Sequence, residues 1–266
     1  MAHGEMIMSR LEHKVPAFVP GPLKKEMMVC LRDIALDEQD IRYYQYTDGI
    51  VMGCDLAEES MKIGLINGIV KFGGRLYKLK EKTLVPYKPT DEWTVLKLRF
   101  GTKLPDKEYI HYAAELVLDA NMEIKPNELE MGRFKLKKGS RLRTVYKDFW
   151  DMVTEYDTVN LVHVRQSAPH FSTLSPAITI NFAREAFRYA GTNPLDAAFC
   201  TACLASEATI GRELITRYIC TRLDRKYGEM SNVELYEGLA DILALISGRA
   251  RKDLGKNQMG GVLLIN

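Results

Sequence analysis

Between Met61 and Leu79 the chain reads Met61-Lys62-Ile63-Gly64-Leu65-Ile66-Asn67-Gly68-Ile69-Val70-Lys71-Phe72-Gly73-Gly74-Arg75-Leu76-Tyr77-Lys78-Leu79. Short β-forming runs alternate here with Asn67-Gly68 and Gly73-Gly74, dipeptides that tolerate the positive φ of tight hairpin turns. The stretch therefore predicts consecutive hairpins. The same character extends from Arg42 to about Phe134. Tyr43, Tyr44 and Tyr46, then Gly49 to Met52, read as β-formers broken at Asp48-Gly49. Thr94 to Phe100 alternates fully, with Val95, Lys97 and Arg99 on one side and Leu96, Leu98 and Phe100 on the other. Tyr112 to Leu118 gives another strand. Strands spaced in this way with no helices between them point to an antiparallel sandwich or barrel, not to a parallel nucleotide-binding sheet.

Past Gly139 the period changes. Leu142, Val145, Tyr146, Phe149, Trp150 and Val153 fall three or four apart up to Tyr156, as one helix face requires. A short strand is expected over Val159 to Val164, then a loop marked by Ala168-Pro169 and Ser175-Pro176. Ser175 and Pro176 form a helix entry signal, followed by Ile178, Phe182, Ala186 and Tyr189 up to Gly191. Asn193-Pro194 repeats that signal ahead of a helical segment running to about Tyr227, which Thr209-Ile210-Gly211 bends or divides. Ser231 with Glu234 is a capping-box signature before Leu235, Leu239, Ile242, Leu243 and Ile246, and Gly248 stands where the helix should stop. The expected fold is thus α+β, with an antiparallel sandwich-like β-rich domain and N-terminal arm over 1–138 and an α-helical bundle domain over 139–266. Beyond Gly255, the run Gly260-Gly261-Val262-Leu263-Leu264-Ile265 reads as a hinge and an apolar strand that needs covering.

The 266 residues are 46% hydrophobic, enough for a substantial core. No apolar run approaches the roughly 20 residues needed to cross a bilayer. His3, Glu5, Arg10, Glu12, His13 and Lys14 interrupt the N-terminus, which lacks the apolar centre of a secretory signal, so a cytoplasmic protein is expected. Five cysteines suit a reducing compartment, and a net charge of +2 demands neither nucleic acid nor membrane.

Catalytic patterns are few. Cys200-Thr201-Ala202-Cys203, with Cys220 further on, is a C-x-x-C inside an apolar helical run beside Phe199 and Leu204, a context for packing and not for a metal or redox site. His163 and His170 flank Arg165, Gln166 and Ser167, the grouping on which an enzymatic site at the domain joint would rest; no motif pairs either histidine with a carboxylate. Ser175 reads as a cap before it reads as a nucleophile. Neither the Walker spacing nor G-x-G-x-x-G occurs, and Gly68, Gly73 and Gly74 are read as hairpin glycines. No catalytic residue, cofactor or metal ligand is assigned.

The most distinctive charge feature is Arg133, Lys135, Lys137, Lys138, Arg141, Arg143 and Lys147, with no acidic residue between the first and the last. This stripe is the candidate contact for a nucleic acid, with Tyr146 and Trp150 as stacking surfaces, or for a partner protein. Asp148 and Asp151 follow at once, which favours a solvated or protein-facing patch.

Asp48-Gly49-Ile50-Val51 and the later run Ile63 to Tyr77 resemble the stacked-hairpin modules of phage tail and baseplate proteins. The order of a β-rich shell and then a helical bundle is similar to the baseplate adaptor of the type VI secretion system. Asn232-Val233-Glu234-Leu235-Tyr236-Glu237-Gly238-Leu239-Ala240-Asp241-Ile242-Leu243-Ala244 is similar to a leucine-rich helix of that adaptor. The resemblance implies a non-enzymatic structural protein of a tail-like particle, acting by self-association, a homotrimer by analogy, and by contact with other structural proteins.

Overall fold

A computed structural model describes residues 24–102, 112–189, 193–206 and 209–248. The chain forms two compact units, Met1–Gln45 and Tyr46–Asn266. The described part of the first is the helix α1 (Lys25–Tyr43) and the residues beside it. Tyr43 and Tyr44 therefore end a helix and do not open a strand. An Arg42–Glu38 pair one turn apart supports that end at 2.8 Å.

The second unit is α+β, with sheets first and helices after them. Its strands are β1 (Gly49–Gly53), β2 (Leu56–Glu59), β3 (Lys62–Leu65), β4 (Gly68–Phe72), β5 (Arg75–Leu79), β6 (Thr83–Pro86), β7 (Trp93–Thr102), β8 (Tyr112–Asp119) and β9 (Glu128–Lys135). They make three antiparallel sheets in the orders β1-β4-β5, β2-β3-β6 and β8-β7-β9. Gly73-Gly74 forms the β4–β5 turn with φ of +54° and +74°, as expected.

Asn67-Gly68, in contrast, is not a hairpin turn. The turn lies at Ser60-Met61, both with positive φ, and the two arms of this long hairpin, β1 with β2 and β3 with β4, change sheet halfway along. At the crossing Cys54 N–H donates to Asn67 O at 3.0 Å and Ile66 N–H to Asp55 O at 2.9 Å. A side chain at Gly68 would meet the Cys54 nitrogen at 2.3 Å, so glycine is required there for close approach.

The expected helix over 139–156 is also corrected: only Trp150–Val153 coils, as one 3-10 turn. Leu142, Phe149, Trp150 and Val153 are buried as their spacing suggested, but Val145 is exposed. The backbone of this segment bonds far along the chain instead of four residues back. Arg143 N–H donates to Asp157 O, Val159 N–H to Arg143 O, and Leu142 N–H to the Tyr87 hydroxyl. Val159 to Val164 is likewise no strand: Asn160 bridges Arg133, and its side chain accepts from Val162 N–H at 2.8 Å to make a local turn.

The helices are α2 (Pro176–Ala186), α3 (Pro194–Ala205), α4 (Arg212–Arg222) and α5 (Asn232–Ser247). The segment after Asn193 divides, with Gly211 opening α4, and it ends at Arg222, short of Tyr227. Tyr189 lies past the end of α2. On α5 both bonds of the Ser231–Glu234 capping box form, and Gly248 closes the helix in the left-handed conformation.

The expected joint at 138/139 falls inside this unit, and one hydrophobic cluster runs from Ile50 to Leu243. Phe149 links its parts: its ring stacks on Tyr236 at 4.6 Å and meets Phe182 edge-on at 5.7 Å. The Tyr236 hydroxyl donates to Phe149 O. The run from Gly255 to Ile265 lies outside the described residues.

Candidate functional site

The basic stripe is broken up by its own surroundings. β9 delivers Arg133 and Lys135, and the loop after it carries the other five cations. Arg133 grips Glu130 through two hydrogen bonds of 2.7 and 2.6 Å. Lys135 pairs with Glu155 at 3.0 Å, and both Lys135 and Lys137 lie over the Tyr156 ring. Arg143 forms a two-pronged pair with Asp151 at 2.8 Å and also donates to Thr158 Oγ1. Lys137, Lys138, Arg141 and Lys147 remain exposed and make no ion pair among the described residues. The expected stacking rings are not presented with them. Trp150 is buried, and the half-buried Tyr146 donates its hydroxyl to Val159 O.

The other sequence candidates do not converge. His163 is half-buried, and burial, helped by the charge of Arg133 and opposed by Glu130, holds its pKa below the usual histidine value. It makes no hydrogen bond or ion pair among the described residues, whereas His170 is exposed with a φ of +67°. Cys200 and Cys203 are buried on α3, and burial pushes both thiols up to about 12. Among the described residues no group of three or more His, Cys, Asp or Glu side chains is placed to hold a metal ion. No helix of those residues is long and apolar enough to cross a membrane.

A cleft of about 360 Å³ opens between β1, the start of β2, the 144–146 loop and the N-terminus of α2. Apolar side chains make most of its wall, among them Met52, Leu56, Met131, Leu161 and Val164. Gln166 and Ser175 are its buried polar groups. Gln166 is placed by an antiparallel bridge to Thr173, and Ser175 stands at the N-cap of α2 without capping it through its side chain. Sequence reasoning reaches Gln166 only as a neighbour of His163 and His170, because its bridge to Thr173 is set by the fold.

Half-buried Arg212 and buried Asp196 hold the frame elsewhere. Arg212 donates to Ser172 O, Met230 O and Asn232 Oδ1, while Asn232 donates to Val164 O at 2.9 Å, so one guanidinium ties α4 and α5 to the loop that floors the cleft. Asp196, 1% exposed, accepts from Tyr218 and Arg222.

Comparison with solved structures finds distant likenesses. The chain is similar to a crystal structure of TssK, with 10% identity and a TM-score of 0.40 over 89% of this chain and 69% of that one. It is also similar to a chain of the type VI secretion TssK-TssF-TssG baseplate subcomplex solved by cryo-electron microscopy. There the identity is 9% and the TM-score 0.38, over 88% of this chain and all of the other. No family model and no curated protein matches the sequence.

Proposed function

We propose that the protein is a structural component of a phage tail, prophage or related contractile injection apparatus, working by contact with copies of itself and with other structural proteins. The observation that carries the reading is α1. Its 19 residues leave Met28, Leu31, Leu36 and Ile41 exposed by 50, 41, 49 and 78%. A helix of this length gains little stability from its own hydrogen bonds and depends on burying apolar side chains, so exposed ones of this size favour packing against another chain. Leu31, Ile34 and Ile41 share one face at spacings of three and seven, the pattern of a helix–helix seam. The glycine-punctuated hairpins and the order of sheets and then helices support the same assignment. On this reading the protein is not an enzyme, needs no cofactor, and resides in the cytoplasm or in a tail-like particle.

Light scattering of the full chain after size-exclusion chromatography tests the reading. A multiple of the 30.3 kDa chain mass is expected, a trimer by analogy, and Leu31→Glu with Ile41→Glu should lower it. A strict monomer at micromolar concentration overturns it.

A second reading, contact with nucleic acid, is favoured by the four exposed cations of the stripe. It predicts DNA or RNA binding that weakens steeply with salt and falls further in a Lys137→Ala, Lys138→Ala, Arg141→Ala variant. Flat binding curves at low salt remove it.

A further inference from the structure

The exposed residues of α1 follow a repeat. Steps of three and four run along one face through Lys24 at the N-cap, Met27, Leu31, Ile34, Glu38 and Ile41, the spacing of a helix–helix seam. Met27 is half-buried and the others are exposed. The two seam positions that are not apolar, Lys24 and Glu38, carry opposite charges near opposite ends of the helix.

Those charges identify the occupant and its direction. A parallel copy would set each seam position against itself, lysine on lysine at 24 and glutamate on glutamate at 38, and like charges facing each other inside a seam oppose association. An antiparallel copy centred between Leu31 and Ile34 sets Leu31 against the second copy's Ile34. It also sets Lys24 against the second copy's Ile41, one helical turn from its Glu38. Glu38 accepts from Arg42 through Oε1 at 2.8 Å, which leaves its second carboxylate oxygen for Lys24.

The flanks have the same asymmetry. Lys24, Lys25 and Arg32 outnumber Glu26 in the first half of the helix, whereas Asp33, Asp37, Glu38 and Asp40 outnumber Arg42 in the second. Two copies running in opposite directions lay the basic end of each along the acidic end of the other, with their helix dipoles also opposed.

We propose that α1 pairs with α1 of a second copy in antiparallel orientation, about a two-fold axis between Leu31 and Ile34, with Lys24 of each chain against Glu38 of the other. The inference rests on the self-association reading and deepens it. It names the surface and the direction of the contact, and a two-fold contact of this kind joins chains in even numbers.

Sedimentation equilibrium of the full chain at low salt tests the pairing, with an even number of chains expected. Lys24→Glu alone and Glu38→Lys alone should each raise the dissociation constant about tenfold, because each turns both opposite-charge contacts of the pair into like-charge ones. The two changes in one chain should bring it back to within about threefold of the parent. In a parallel pair like charges would stay opposite like charges, and neither reversal would matter. A glutamate at the N-terminus and a lysine towards the C-terminus both suit the helix dipole, so weaker association would not come from a weaker helix.

Crosslinking fixes the direction separately. In a Cys30→Ser background, a short bismaleimide should join Lys24→Cys chains to Ile41→Cys chains when the two are mixed. Either variant alone should not link to itself, since those positions lie about 25 Å apart along the axis of an antiparallel pair. Reversals without effect, links within one variant alone, or an odd number of chains overturns the proposal. An assembly indifferent to the reversals sinks the antiparallel pair and leaves self-association standing, and a strict monomer sinks both.

Discussion

The ammonium of Lys97 lies 3.4 Å from the carboxylate of Glu128, and neither side chain has any exposed surface. Lys97 also donates to Asn121 O at 2.7 Å and Glu123 O at 2.6 Å, and lies 3.3 Å from Asp119 Oδ2. Arg99 holds the other oxygen of Glu128 at 2.9 Å. One lysine on the central strand of the β8-β7-β9 sheet thus occupies the position of a bound cation, and the residues after β8 fold around it.

Removing that charge leaves Glu128 and two carbonyls buried with less compensation. Lys97→Met should lower unfolding stability by about 3–5 kcal/mol, as measured by urea denaturation. Adding Glu128→Gln should restore part of the loss, because the uncompensated carboxylate disappears with it. A loss below about 1 kcal/mol, within the range of exposed pairs, would show that the network is solvated.

Gly238 on α5 brings the helix against Ile219 of α4. An added Cβ would stand 2.6 Å from Ile219 Cγ2. Although alanine favours helix, Gly238→Ala should cost about 1–3 kcal/mol through overpacking, visible as a lowered Tm. Combining it with Ile219→Ala should cost less than the sum of the two changes.

Acid should attack the Arg143–Asp151 clasp. The guanidinium, with the Lys147 amide and against the effect of burial, holds the Asp151 carboxyl below its ordinary value. A pKa depressed on folding contributes stability that is fully present above the unfolded value, about 4. That contribution is lost as pH falls through the folded value. Asp151→Asn should therefore destabilise the protein clearly near neutral pH, and the gap from the parent should close below about pH 4. A gap unchanged by acid would mean that the clasp contributes through shape and not through charge.

Thiol chemistry reports on the interior. Burial raises Cys54 to about 11 and Cys200 and Cys203 to about 12. Well under a hundredth of each is then thiolate at pH 8, and all three are shielded. A disulfide reagent at that pH should label these three only after denaturant is added, with mass spectrometry assigning the sites. Rapid native labelling of Cys200 or Cys203 would contradict simple packing on α3.

Where the instructions are local, the sequence is a sufficient guide. The start and stop of α5 sit within a residue of its ends, and the Gly73-Gly74 turn depends on its own two residues. The 139–156 segment misleads because a spacing of three and four also serves a loop that turns most of its apolar side chains, though not Val145, towards one core; the decisive backbone partners, Tyr87 and Asp157, lie outside the segment. α1 offers no capping side chain at Lys24. Lys97 carries a signal that can be read, a charge in mid-strand between the apolar Val95 and Leu96 on one flank and Leu98 on the other. Gln166 carries none, since its bridge to Thr173 is made only in the fold. The stripe from Arg133 to Lys147 is contiguous in sequence, but its cations are divided in space between ion pairs and solvent.

Because the Ser60-Met61 turn sets the alignment of β2 with β3 and, farther along the same two arms, of β1 with β4, two sheets inherit their registration from a single bend. A one-residue slip there would turn the faces of both sheets over together. Length is therefore more tightly constrained at this reversal than at an ordinary surface loop, and the wall of the cleft, which β1 and β2 supply, is only as well aligned as that bend.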